Sequence, residues 1–196
     1  MSKRYYLLKI RLLAIEPEIW RRFVVPASIT LDRLHDVIQI VMGWNDCHLH
    51  AFTIGKKRYT EYPESREDGL ACGEYRLGDL IKQQGSTFSY LYDFGDSWEH
   101  ELVLEDSRYF VPESRRYLVC LEGGRACPPE DVGGVPGYFE FCQVMQDPDH
   151  EDHERYREWF GGDYDSESFD ADAVNRELMK YSRWSRDRQQ NWTRAE

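Results

Sequence analysis

The stretch FSYLYDFGDSWEHELVLE, residues 88–105, decides how this chain folds. Two apolar-aromatic runs, Phe88–Phe94 and Trp98–Leu104, flank Gly95-Asp96-Ser97. Gly and Asp tolerate the positive φ of a tight turn, so the pattern predicts a β-hairpin. Under period-two alternation Phe88, Tyr90 and Tyr92 fall on one face of the first strand, and Trp98, His100, Leu102 and Leu104 on one face of the second. Asp93, Asp96, Glu99 and Glu101 then crowd the hairpin tip beside His100. That tip is the first place to look for a site.

Outward from the hairpin, residues 4–14 alternate as a strand, Glu16-Pro17-Glu18 turns, and Ile19–Val25 returns as a second strand that Pro26 stops. Arg21 and Arg22 are adjacent and cannot both face inward, so at least one guanidinium is exposed or salt-bridged. Leu31, Leu34, Ile38 and Val41 recur at the helical period between Thr30, a residue suited to the N-cap, and Gly43, suited to C′; a helix is predicted over 31–42. HLHAFTI, residues 48–54, reads as a strand with His48, His50, Phe52 and Ile54 on one face. Residues 55–76 read as an irregular excursion and 77–83 as a short helix. Beyond the hairpin, 107–116 reads as a connection, 117–121 as a short strand and 122–137 (EGGRACPPEDVGGVPG) as the longest loop. Helices are predicted over 138–146, 149–160 and 171–180, the last capped by Asp170. This order predicts an α+β fold: a mostly antiparallel sheet with helices packed on one face, a compact single domain over 4–180 and a polar, frayed tail over 181–196.

Net charge is −11, unevenly spread: residues 1–60 hold ten Lys and Arg against five Asp and Glu, and the remainder is strongly acidic. Neutralising phosphates supplies most non-specific affinity for nucleic acid, so this balance disfavours that partner. Such a reading would rest on Arg11, Arg21, Arg22 and Lys56–Arg58, charges that solvated strand edges explain equally well. No apolar run approaches the ~20 residues that span a bilayer. Lys9 and Arg11 interrupt the apolar N-terminus and no small-residue cleavage site follows, so it reads as a strand rather than a signal peptide. Five cysteines, odd in number and without a paired framework, fit free thiols in a reducing compartment, and a cytoplasmic location is expected.

The candidate patch is His48, His50, Tyr92, Asp93, Asp96, Trp98, His100, Glu130 and Asp131. Two histidines two apart on a strand project from one face and could share an ion. With Asp96, His100, Cys120 and Cys127 nearby, soft and hard ligands are both offered, so a divalent metal is an open expectation without a selected element. The Cys-x₆-Cys spacing is not the Cys-x₂-Cys hook of a zinc ribbon. The alternative is structural: the imidazoles bond the hairpin acids and the thiols are small core residues. Asp93-Phe94-Gly95 matches a protein-kinase metal motif by letter, but no Gly-rich strand–turn–strand, Val-Ala-Ile-Lys-like strand or His-Arg-Asp loop accompanies it. Gly133–Gly137 before a helix could hold an anion on free N–H groups, yet Glu130 and Asp131 would repel phosphate, which favours loop scaffolding. His150-Glu151-Asp152-His153-Glu154 departs from the His-Glu-x-x-His zinc pattern and reads as a solvated first turn. No nucleophile with an adjacent base presents a hydrolase signature.

The segments HLHAF (48–52), YLYDFGDSWEH (90–100) and CLEGGRACPPEDVGGVPGY (120–138), in that order, resemble the plasmid pRiA4b ORF-3-like family, also described as TnpR-like passenger proteins of insertion elements. IWRR (19–22), MGW (42–44) and WFGGDYDSESFD (159–170) are similar to the same pattern, so the resemblance covers about residues 4–180. It implies a compact α+β domain carried on plasmids, transposons and chromosomes, and it supplies no established activity. Nothing reads as a serine recombinase. The expectation is therefore a non-catalytic binding or interaction domain, with an unknown protein or small ligand as partner. The alternative is a metal-dependent enzyme using His48, His50, Asp93, Asp96 and His100.

Overall fold

The structure is a computed structural model that describes residues 4–65, 67–112 and 118–184. Eight strands form one sheet in the order β5-β4-β3-β6-β7-β1-β2-β8, antiparallel throughout except for the β4–β5 pair. They are β1 (Tyr5–Leu12), β2 (Trp20–Pro26), β3 (His50–Ile54), β4 (Lys57–Thr60), β5 (Leu70–Ala71), β6 (Thr87–Tyr92), β7 (Trp98–Tyr109) and β8 (Val119–Gly124). The helices are α1 (Leu31–Met42), α2 (Leu77–Leu80), α3 (Gly134–Gln146), α4 (His153–Phe160) and α5 (Ala171–Trp184). This is the α+β sheet-and-helix fold that the sequence predicts.

Alternation sorts the sheet into two unlike faces. Tyr6, Leu8, Ile10 and Leu12 of β1, Phe88, Tyr90 and Tyr92 of β6, and Trp98, His100, Leu102 and Leu104 of β7 are buried together with the apolar stripe of α1. The other face carries charge held in cross-strand pairs: Arg11 to Glu18 and Glu101, Lys9 to Glu18, and Arg22 to Glu105 and Glu122. Each exposed pair adds little, but together they leave few free cations on this face. Of the charges offered for nucleic acid, Arg11 and Arg22 are ion-paired and Arg21 is buried, whereas Lys56, Lys57 and Arg58 stay exposed.

Helix α1 runs over the predicted residues. Gly43 ends it at φ 107°, its N–H bonded to Gln39 O, while Thr30 holds the N-cap position without a side-chain bond. Asp170 caps α5 as predicted, its carboxylate accepting the Ala173 N–H at 2.9 Å.

Several expectations need correction. The 55–76 excursion contains β4, β5 and a turn of 3₁₀ helix at Cys72–Glu74. Strand β7 continues to Tyr109, because pairing with β1 extends to the Tyr5–Tyr109 register. Strand β8 runs to Gly124 and α3 starts at Gly134, so the long loop shrinks to 125–133. Helix α4 begins only at His153, and α5 continues to Trp184. Tyr117 of the predicted short strand and residues 185–196 of the predicted tail lie outside the described residues. Among the described residues no helix is long and apolar enough to cross a membrane.

Candidate functional site

The site is built on the segment Trp44–His48, which leaves α1 at Gly43 and is tied down residue by residue. Trp44 Nε1 donates to Pro128 O at 3.1 Å, and Asn45 N–H to Glu130 Oε1 at 2.9 Å. Asp46 N–H donates to Gln39 Oε1, and Cys47 N–H to the Tyr92 hydroxyl, which in turn donates to Glu130 Oε1 at 3.1 Å. Burial pushes the Tyr92 phenol above its usual range, with the Cys47 amide opposing and the Glu130 carboxylate adding, so it remains a donor. Across from this segment, the hairpin tip fixes the 125–133 loop through Asp96 Oδ2, which accepts the Gly133 N–H at 3.0 Å. A Cβ on Gly134 would stand 2.6 Å from Asp96 O, so the close approach of loop and hairpin requires glycine there.

The result is a convergence on one nitrogen. His48 Nε2 lies 3.2 Å from Asp131 Oδ1, 3.7 Å from Asp93 Oδ2 and 3.8 Å from Glu130 Oε2. It is buried yet makes no hydrogen bond, since the short contact with Asp131 is an ion-pair distance without hydrogen-bond alignment. Some of the carboxylate oxygens are already occupied: Gly95 N–H donates to Asp93 Oδ1, Asn45 N–H donates to Glu130 Oε1, and the Tyr92 hydroxyl lies within hydrogen-bond distance of both Glu130 oxygens, at 3.1 and 3.3 Å. Among the described residues no Lys or Arg pairs with any of the three acids. Asp93 and Glu130 are largely buried and Asp131 is open to solvent, its side chain 71% exposed.

Backbone strain collects at the same place. Asp93 and Asp131 have φ of 53° and 55°, and the neighbouring Asp46 has 56°. Asp visits this region more readily than most residues, but each instance still costs about 1 kcal/mol, and such strain gathers at ligand clamps. The hairpin turn therefore differs from its prediction: Asp93 and Ser97 carry the positive φ, while Gly95 does not.

The predicted patch is only partly brought together. His48, Tyr92, Asp93, Glu130 and Asp131 converge, and Asp96 serves the loop amide instead. His48 precedes β3 rather than belonging to it, so the period-two argument fails and the two imidazoles meet different partners, His48 the three acids and His50 the His35 ring. The His50 ring is buried and stacked on His35, centroids 3.5 Å apart and planes 7° from parallel. His100 and Trp98 are fully buried, with His100 Nδ1 against Tyr90 O. Cys120 is buried at the β8 edge, where Asn175 bonds its N–H and C=O, and Cys127 lies in the 125–133 loop. Neither joins the histidines: the groups of described residues spaced for an ion are His48 with Asp93 and Asp131, and His35 with Asp36 and Asp46.

Other positions in and beside the candidate site escaped the sequence reading. His35 bonds Tyr90 OH through Nδ1 and Asp46 through Nε2, both at 2.7 Å. A cavity of about 690 Å³ opens beside the cluster, sharing Glu130 and Asp131 with it and walled by Trp44, Trp159, Phe160 and Tyr164. Two apolar residues ending an otherwise charged helix, Trp159-Phe160, were the available signal.

The chain is similar to proteins that share this architecture. It is 39% identical to the uncharacterized protein y4hQ of Sinorhizobium fredii (strain NBRC 101917 / NGR234) over 183 residues, 91% of this chain and 93% of that protein. The crystal structure of MM3350, a protein of unknown function from Methanosarcina mazei Go1, superposes with a TM-score of 0.78 at 35% identity, covering 88% of this chain and 98% of that one. Residues 4–173 match the model of the plasmid pRiA4b ORF-3-like proteins, and the protein belongs to that family.

Proposed function

We propose that the protein is a binding domain that holds a divalent cation between His48, Asp93 and Asp131, with the Glu130 carboxylate beside them, and takes its ligand in the adjoining cavity. The observation that carries this reading is the single imidazole nitrogen facing three carboxylate oxygens within 3.8 Å, with no hydrogen bond of its own. Three acids converging without a Lys or Arg partner among the described residues repel one another, and a divalent ion relieves that repulsion. One imidazole with carboxylate oxygens suits Mn²⁺, Fe²⁺ or Zn²⁺, while the thiolates that would favour softer ions sit elsewhere. The bonds from Gly95, Asn45 and Tyr92 orient the carboxylates as an outer shell does. Once bound, the ion would neutralise the acids. The accessory setting on mobile elements implied by the family resemblance is part of the same proposal.

Chelator-treated protein, melted with and without Mn²⁺ or Zn²⁺, tests the reading. Metal at 100 times its Kd is expected to add about 2.7 kcal/mol to stability. Asp93→Asn keeps a residue that tolerates positive φ but removes the charge, and it is expected to weaken metal binding about tenfold or more. Melting that neither ion shifts would refute the proposal.

A further inference from the structure

The cavity beside the cluster has a chemistry of its own that does not depend on a metal at His48. Its outer wall is the end of α4 and the segment after it, Trp159, Phe160, Tyr164 and Asp165, and among the described residues its lining contains no Lys, Arg or His. Helix α4, HERYREWF, buries none of its residues, yet it ends in two large rings, Trp159 49% exposed and Phe160 39% exposed. These rings are seated firmly. Both pack on Phe141 with centroids 5.8 Å away, and Phe160 meets Tyr164 nearly at right angles at 5.3 Å. Core packing thus holds them in place while leaving them part-exposed along the cavity, where burial gives no reason for them.

The charge in the cavity has one sign. Asp163 is neutralised by Arg157 at 2.6 Å. Asp165 accepts the Glu167 N–H at 3.0 Å, and among the described residues no Lys or Arg forms an ion pair with it. Glu130 and Asp131 also line it, but they belong to the proposed cation site, so the counter-charge rests on Asp165. The faces of aromatic rings also present negative potential. A neutral apolar guest would gain contact alone and an anion would be repelled; a cation clothed in methyl or methylene groups gains both contact and charge. About 690 Å³ is the room of a small-molecule pocket.

We propose that this cavity binds a small organic cation, a quaternary or alkylated ammonium, between the Trp159, Phe160, Tyr164 and Trp44 rings with Asp165 as counter-charge. The test is calorimetric titration of the full chain, in the presence of chelator, with three compounds of nearly one shape. These are choline, its neutral isostere 3,3-dimethylbutan-1-ol, and 3,3-dimethylbutanoate. Choline is expected to bind about tenfold more tightly than the alcohol, with no binding of the carboxylate. Trp159→Ala is expected to weaken choline about tenfold and Asp165→Asn several-fold, while Trp159→Phe retains most of the affinity. Because Trp159 is half exposed, these variants should melt within a few degrees of the parent, which separates lost binding from lost fold. Equal binding of the alcohol, tighter binding of the carboxylate, or no heat from choline at millimolar concentration would each overturn the proposal.

Discussion

Replacing Arg21 with alanine is expected to destabilise the protein by about 3–5 kcal/mol. Arg21 is 2% exposed and has no acidic partner among the described residues; its donors serve three carbonyls instead. Nε bonds Val41 O at 2.8 Å, and Nη1 bonds Trp20 O and Gly124 O at 2.7 and 2.8 Å. Val41 lies in the last turn of α1, where carbonyls lack helical partners and the helix dipole is negative, and that turn has no basic residue of its own. A guanidinium from β2 therefore closes the helix that leads into the site. Phe169 stacks over it, 4.2 Å from the guanidinium carbon. A Cβ on Gly123 would stand 2.7 Å from the Arg21 side chain, so the neighbouring strand is shaped around it. Burial lowers the Arg21 pKa, but an arginine starts so high that it stays charged. Lysine carries the charge but not the planar fork, so Arg21→Lys should recover only part of the loss. Urea unfolding of the three proteins measures this; a loss below about 1 kcal/mol for alanine would show that the carbonyl bonds contribute little.

Acid should destabilise the protein before most of its carboxylates titrate. Burial first, then the stacked His35, lowers the pKa of His50 to about 3, with Asp46 opposing. Burial lowers that of His100 to about 4, against the backbone carbonyls of Tyr90 and Trp98. Both folded values lie below the unfolded 6.5, so as the pH falls the unfolded chain takes up protons that the folded one refuses. The stability is whole above pH 6.5 and declines toward the folded pKa values, by about 1.4 kcal/mol per pH unit for each histidine. Asp36, whose carboxyl is raised by burial, acts in the opposite sense. A combined loss of about 2–3 kcal/mol is expected between pH 6 and pH 5, and His100→Phe should roughly halve the slope. Urea midpoints that stay level from pH 6.5 to 5 would contradict this.

What the sequence made legible was whatever repeats. Leu31, Leu34, Ile38 and Val41 located α1 to the residue, and the alternation of Phe88, Tyr90, Tyr92 with Trp98, His100, Leu102 located the buried face of the hairpin. Periodicity misled at element ends. Carrying the β3 alternation back two residues placed His48 beside His50, although the strand starts only at His50. Periodicity showed that one of Arg21 and Arg22 must turn outward but not which, because that depends on α1 offering Val41 O to one face. The cluster itself joins His48, Asp93 and Asp131, residues far apart in the chain whose meeting rests on glycine at 134 and the Asp96 bond to Gly133. Long-range contacts of that kind leave no local pattern.

Anomalous diffraction from crystals grown with Mn²⁺ locates the ion directly. The expected result is one peak bounded by His48 Nε2, Asp93 Oδ2 and Asp131 Oδ1, at about 2.0–2.3 Å from its ligands and lost in Asp93→Asn. A map with no peak there, or with the ion held by His35 and Asp46 instead, would contradict the proposed cation site.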